Sequence, residues 1–238
     1  QPTILDPVLL PIERLVLRVT GVGPSEQQDW KQYSRSLLMS NAVMWLSAWT
    51  VLTLQGYLPL NPDQIGNMEP TLAFNTASSF TSNTDLQHYS GETGLSYFSQ
   101  MFAITFLQFV TAASGIAACV ALMRALGEQQ RSTVGSFYVD LTRASVRLLL
   151  PVALLVATLL MWQGTPMTFE GAATATTVEG QEQVIARGVT APMVAIKQLG
   201  TNGGGYFGPN STHPFENPTP LSNLVQTWSI LAIPMAMV

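Results

Sequence analysis

The sequence predicts an all-α polytopic membrane protein built from repeated helical units. Only 10% of the 238 residues are charged, against about 25% in a typical soluble domain. Four long stretches contain no Asp, Glu, Lys or Arg, at 36–62, 93–123, 148–169 and 217–238. The loops after the first and third stretches each hold a short semi-apolar segment that cannot span a bilayer. We therefore expect a unit of long helix, short re-entrant helix, polar loop and long helix, present twice.

Each charge-free stretch contains a segment long enough to cross the membrane, which takes about 20 helical residues. We place spanning helices at 36–54, 98–123, 141–162 and 221–238. The last helix ends in an apolar run and the chain starts without Met, so we expect a piece of a longer protein. Trp162 suits an anchor at the membrane interface.

The basic residues predict the orientation. The segment before the first span and the region between the second and third hold eight of them: Arg14, Arg18, Lys31, Arg35, Arg124, Arg131, Arg143 and Arg147. The two other loops hold only Arg187 and Lys197. By the positive-inside rule, residues 1–35, an amphipathic segment, and the connection 124–140 are cytoplasmic. The units 36–123 and 141–238 then direct their loops outward.

The two outer loops resemble each other. Each short segment begins with a proline, at 70–80 and 192–199, and each is followed by a hydroxyl–Asn pair, Ser82-Asn83 or Thr201-Asn202. Glycine and asparagine runs are often ordinary surface turns. A matching pair in two similar units instead favours a pore or transport fold, in which internal repeats are common.

The order of elements in these loops favours a cation. The short helix precedes the polar loop, so its negative C-terminal end faces the loop. A phosphate-binding loop has the opposite order, with the loop leading into a helix N-terminus. The run Gly203-Gly204-Gly205 permits backbone conformations that other residues avoid, and rings of backbone carbonyls replace an ion's hydration shell in selectivity filters.

Other kinds of site are less well supported. The glycine run lacks the Gly-Lys-Ser/Thr ending of a nucleotide-binding loop. His88 and His213 belong to no His/Cys cluster, so we expect packing roles and no transition-metal site. The net charge of −4 and the lack of a basic stripe argue against nucleic acid. We expect no organic cofactor.

Two charged features of the outer loops stay open. Lys197 lies near the end of the second short helix, where a free cation opposes ion entry. It either pairs with a carboxylate, couples to a partner or extends to the membrane surface. The carboxylates of Glu69, Asp85, Glu92 and Glu216 either concentrate cations or form a solvated outer face.

The loop sequences resemble the KdpA family, the potassium-binding subunits of bacterial potassium-transporting ATPases. The resemblance rests on Asn-Thr-Asp-Leu-Gln-His-Tyr-Ser-Gly-Glu-Thr at 83–93, Gly-Thr-Asn-Gly-Gly-Gly-Tyr-Phe at 200–207 and His-Pro-Phe-Glu-Asn-Pro at 213–218. It extends over nearly the whole chain, and these strings are highly specific.

The resemblance implies four repeats around a central filter, of which this chain holds the first and most of the second. The implied potassium-binding residues are Thr81, Ser82, Asn83, Thr84 and Gln87 in the first loop, with Gly200, Thr201, Asn202, Gly203, Gly204 and Gly205 in the second. The backbone carbonyls of Gly203 and Gly204, with oxygens around Asn83, Thr84, Thr201 and Asn202, are expected to replace the hydration shell, and the asparagine side chains are expected to brace the loops. Asp85 supplies a carboxylate where some family members have an amide, so the strength and pH dependence of binding stay open.

The resemblance also implies a potassium-selective binding and translocation subunit for ATP-driven uptake across the bacterial inner membrane. The family works in the lipid bilayer with a P-type ATPase subunit (KdpB), an accessory subunit (KdpC) and a small single-helix subunit (KdpF). No Asp-Lys-Thr-Gly phosphorylation motif is present here, so ATP hydrolysis is expected on the partner and not on this chain. The alternatives are an ATP-independent channel or symporter of the same superfamily and a non-conducting membrane scaffold. A membrane enzyme is remote, because the sequence shows no catalytic constellation.

Overall fold

A computed structural model describes residues 6–127 and 132–237 of the chain and shows a mainly helical protein. The helices, in chain order, are α1 Asp6–Thr20, α2 Trp30–Leu54, α3 Pro70–Thr81, α4 Gly91–Gly94, α5 Tyr97–Gly127, α6 Phe137–Trp162, α7 Thr190–Leu199 and α8 Pro220–Met237. Arg131, one of the basic residues used to predict the orientation, lies outside the described residues.

One feature corrects the prediction of a wholly α-helical chain. Between α6 and α7, strands β1 Ala173–Thr176 and β2 Glu182–Ile185 form an antiparallel hairpin, with Ala173 opposite Ile185. The hairpin is rich in β-branched Thr, Val and Ile, which favour extended backbone. Its turn ends at Gly180, whose φ of 79° is readily adopted only by glycine.

Three helices of the described chain are long and apolar enough to cross a membrane: Trp30–Tyr57, Tyr97–Gly127 and Phe137–Trp162. They contain the first three predicted spans. The fourth predicted span, 221–238, forms helix α8 but is not among them, and Val238 lies outside the described residues. The polar residues Ser222, Asn223 and Gln226 in its first half lower its hydropathy.

Two long helices begin earlier than predicted, and a capping box explains the start of the first. The carboxylate of Asp29 accepts a hydrogen bond from the Gln32 backbone N–H at 2.8 Å, and the Gln32 side chain accepts one from the Asp29 N–H at 3.0 Å. This capping box starts α2 at Trp30. Helix α6 starts at Phe137 and continues through a π-helical stretch, Ala144–Leu149, which precedes Pro151. The wider turn accommodates a proline that lacks a backbone N–H.

Both short helices are present and lie among the long ones. Helix α3 begins at Pro70, where the Glu69 carboxylate accepts hydrogen bonds from two backbone N–H groups, both at 2.9 Å. It packs against α2 and α5, whereas α7 packs against α5, α6 and α8. The buried apolar cores around them centre on Phe80 and Leu107 for α3 and on Leu160 and Leu199 for α7.

Helix α1 is fastened to the start of α6 by an ionic cluster. The buried Glu13 carboxylate accepts hydrogen bonds from Arg143 Nε at 3.0 Å and from Arg147 Nε at 2.6 Å. Burial is the largest single influence and raises the pKa of Glu13. The hydrogen bonds and charges of the two arginines together outweigh it, so the pKa is lowered. The cluster places the amphipathic segment beside the beginning of α6.

The Glu13→Gln substitution is expected to loosen α1. The guanidinium groups lose a charge-assisted partner but remain partly exposed, so we expect a cost of about 1–2 kcal/mol in unfolding free energy. Thermal unfolding of the purified protein checks the stability, and limited trypsin digestion at Arg14 and Arg18 checks the release of α1. Glu26→Gln, in the same segment, is the control and should change neither.

Candidate functional site

The two short helices end with the same backbone geometry. In the first loop, the N–H groups of residues 82–84 donate to carbonyls four, three and five residues earlier, at 3.1, 3.4 and 3.0 Å. In the second loop, residues 200–202 repeat this order at 2.7, 3.1 and 2.9 Å. Asn83 and Thr201 both adopt left-handed backbone, with φ of 59° and 54°. The loops are therefore structural equivalents.

This equivalence corrects the pairing read from the sequence. Asn83 corresponds to Thr201 and Thr84 to Asn202, one residue away from a match of the two hydroxyl–Asn pairs. Asparagine tolerates the left-handed backbone conformation, whereas a β-branched threonine is strained in it. The Thr201 hydroxyl donates to the Gly200 carbonyl at 2.7 Å. A strained residue held in this way often marks a functional site.

The side chain of Asn83 joins the two loops to α5. Its Oδ1 accepts hydrogen bonds from Thr111 Oγ1 at 2.9 Å and from Asn202 Nδ2. Its Nδ2 donates to the Gly200 carbonyl at 3.3 Å. These contacts fit the expectation that asparagine side chains brace the loops.

Two glutamines hold the end of the glycine run. Gln87 Nε2 donates to the Gly205 carbonyl at 2.9 Å, and Gln87 Oε1 accepts from the Gly205 N–H at 2.8 Å. From α5, the fully buried Gln108 donates to the Gly204 carbonyl at 2.7 Å. The Gly204 and Gly205 carbonyls are thus directed at protein donors.

A second set of carbonyls in these loops accepts no hydrogen bond within the described part of the chain. They belong to Ser82, Asn83, Thr84, Thr201, Asn202 and Gly203. Ser82 and Thr84 are exposed and share a hydroxyl–hydroxyl hydrogen bond of 2.9 Å, and Thr201 and Gly203 are also exposed. The Thr81 hydroxyl is buried and has no hydrogen-bond partner among the residues that the structure describes. Carbonyls without donors, beside the negative ends of two helices, are suited to a cation.

Asp85 places a carboxylate beside these carbonyls. The residue is 3% exposed, and its Oδ2 accepts a long hydrogen bond, 3.4 Å, from the Gly203 N–H. Its Oδ1 has no partner among the described residues. Burial raises the pKa of Asp85 to about 6, although the nearby Asn202 amide and the hydrogen bond from Gly203 favour the ionised form.

Of the alternatives for Lys197, the structure shows pairing with a carboxylate, because its ammonium forms an ion pair with Glu216. His213 stacks on Phe207 with ring centroids 3.8 Å apart, as expected of a packing role. Among the residues that the structure describes, no group of three His, Cys, Asp or Glu side chains is arranged to hold a metal ion.

Two supporting residues, Gln108 and Thr111, were not predicted from the sequence; both lie in the predicted span that became α5 and are buried against the loops. Both are polar residues in a mainly apolar run, and they lie three positions apart on one helix face. A polar pair within a predicted span was the available signal, because such groups must find partners inside the protein.

The chain matches one protein family throughout. Residues 1–238 match the family model KdpA, described as the potassium-transporting ATPase A subunit. The potassium-transporting ATPase potassium-binding subunit of Bacteroides fragilis is 51% identical over 230 residues, covering 97% of this chain and 40% of that protein. The subunit of the same name from Pseudomonas putida is 52% identical over 238 residues, covering 100% of this chain and 42% of that protein. The chain spans about two fifths of the length of the curated relatives it matches.

Proposed function

Because the chain belongs to the KdpA family of potassium-transporting ATPase A subunits, we propose that its two loops bind potassium within an ATP-driven uptake complex. The observation that carries this proposal is the set of carbonyls without hydrogen-bond donors in two equivalent loops. The loops supply half of a four-sided filter. The remainder comes from the part of the relatives that this chain does not span.

The proposed ion ligands are loop carbonyls that accept no hydrogen bond from the described residues. The carbonyls of Asn83 and Thr84, with those of Thr201, Asn202 and Gly203, replace water around the ion. The carbonyls of Gly204 and Gly205 instead accept side-chain hydrogen bonds and hold the loop in shape. Gln87 and the Asn83 side chain therefore act as braces.

The proposed surroundings are a bacterial inner membrane with the filter loops facing outward. The units 36–123 and 141–238 are two of four repeats, and residues 1–35 and 124–140 lie on the cytoplasmic side. A cavity of about 260 Å³ adjoins the loops, lined by Asn83, Thr111 and Thr201 together with mainly apolar residues such as Ile116 and Ile233. The partners are the P-type ATPase subunit KdpB, the accessory subunit KdpC and the small subunit KdpF.

Ion-stimulated ATP hydrolysis by the complex assembled around the complete subunit tests the proposal. We expect potassium to stimulate hydrolysis and sodium to do so far less. Potassium uptake without ion-stimulated hydrolysis indicates the channel or symporter alternative. If neither ion changes hydrolysis or uptake, the filter interpretation is wrong and the scaffold alternative stands.

The Gln108→Leu substitution is expected to weaken potassium binding. The Gly204 carbonyl loses its only donor among the described residues and is left buried and unpaired, at a cost of about 1–3 kcal/mol. We expect the half-saturating potassium concentration for ATP hydrolysis to rise roughly tenfold. The control is Gln64→Leu, an amide in the outer loop away from the filter. An unchanged half-saturating concentration in Gln108→Leu contradicts the bracing role.

A further inference from the structure

An ion pair lies directly behind the second filter loop. The side chains of Lys197 and Glu216 are 3% and 0% exposed, and Nζ lies 2.5 Å from Oε2. The ammonium also donates to Ser211 Oγ at 2.7 Å and to Asn210 Oδ1 at 3.4 Å. Burying two charges often costs more than their attraction returns. The presence of this pair therefore calls for an explanation other than stability.

Glu216 contacts the end of the filter loop itself. Its Oε1 accepts a hydrogen bond from the Phe207 N–H at 2.9 Å. At Gly205, a Cβ atom placed on the backbone would lie 2.6 Å from the same oxygen. The carboxylate, together with the Asn210 side chain, therefore fills the space beside Gly205.

Lys197 connects this carboxylate to the other end of the loop. It lies in the last turn of α7, and its backbone carbonyl accepts a hydrogen bond from the Asn202 N–H at 2.9 Å. An uncompensated positive charge about 10 Å from a cation, at an effective dielectric constant of about 20, weakens cation binding roughly tenfold. Glu216 supplies the compensating charge.

We propose that Glu216 is a positioning residue for potassium selection, which holds the end of the second loop through Phe207 and neutralises Lys197. It is not a ligand of the ion. The inference rests on the proposed function, since it assigns a role at the same filter.

The test uses the complete complex and the Glu216→Gln variant. The amide has nearly the same size and keeps an acceptor for the Phe207 N–H, but it leaves Lys197 without its counter-charge. We expect the half-saturating potassium concentration for ATP hydrolysis to rise about tenfold, while the maximal rate at saturating potassium changes little. The double variant Lys197→Met/Glu216→Gln removes both charges and is expected to restore most of the lost affinity.

Glu92→Gln is the matched control. Glu92 also accepts a backbone hydrogen bond from this loop, from the Gly208 N–H at 2.9 Å, but it does not contact Lys197. We expect its half-saturating potassium concentration to equal that of the wild type. An equal loss in this control would mean that any outer-face charge has the same effect, which overturns the inference.

The remaining outcomes separate the inference from the proposed function. A wild-type complex without potassium stimulation refutes the proposed function itself. Normal stimulation with an unchanged half-saturating concentration in Glu216→Gln overturns only the role of Glu216, as does a double variant no better than the single one. If Glu216→Gln does not assemble, Glu216→Asp, which keeps the charge but shortens the reach to Phe207, must raise the half-saturating concentration. No change in that variant also overturns the inference.

Discussion

The Gly203→Asp complex is expected to lose potassium-selective stimulation of ATP hydrolysis. A Cβ atom at Gly203 would lie 3.3 Å from the Thr84 carbonyl oxygen and 3.4 Å from that of Asp85. The carboxylate of the new side chain therefore enters the group of carbonyls proposed to bind the ion, and it lies close to the existing Asp85. We expect the half-saturating potassium concentration to rise at least about tenfold, a loss of about 1.4 kcal/mol in binding, and sodium to compete more effectively.

Gly203→Ala separates the size of the new side chain from its charge. The methyl group meets the same carbonyls at distances that a small shift can relieve, so we expect a change of a few-fold at most, with selectivity retained. Titrations of ATP hydrolysis with potassium and sodium measure both variants. If Gly203→Asp keeps the wild-type response to both ions, Gly203 does not face the ion.

Asn83→Ala is expected to disable the filter by separating its two loops. The substitution removes hydrogen bonds to Thr111, Asn202 and the Gly200 carbonyl, each contributing about 1 kcal/mol. It also places alanine at a φ of 59°, which costs about 1–2 kcal/mol more. Part of this cost falls on the stability of the complex and part on the affinity for potassium, so we expect a lower unfolding temperature together with a large rise in the half-saturating concentration.

Two variants control this experiment. Asn75→Ala changes an exposed asparagine on α3 and should have little effect. Asn83→Asp keeps the size, tolerates the left-handed backbone and keeps the acceptor for Thr111, but loses the donor to Gly200. It is expected to lie between the wild type and Asn83→Ala. An Asn83→Ala complex with wild-type affinity and stability shows that the loops do not depend on this bridge.

The sequence predicted the elements governed by local chemistry. Stretches without charge located the three long helices, and prolines at the start of short apolar segments located α3 and α7. The hairpin 173–185 was missed because its strands are short and lie in a loop with no strong alternation of apolar and polar residues.

The parts of the site that depend on distant contacts could not be predicted. The match of Asn83 with Thr201 follows from backbone conformation, whereas residue types suggested a match one position away. The contacts of Gln108 with Gly204 and of Lys197 with Glu216 join elements whose arrangement no local pattern reveals. The contact of Gln108 also removes the Gly204 carbonyl from those available to an ion.

We propose that potassium lies among the carbonyls of Asn83, Thr84, Thr201, Asn202 and Gly203. The most direct test is to locate the ion in the complete complex, by anomalous scattering or difference density between samples in rubidium, potassium and sodium. We expect a peak in rubidium and potassium within coordination distance of these oxygens, and a weaker one in sodium. A peak bounded instead by the Gly204 and Gly205 carbonyls, or none between the two loops, would contradict it.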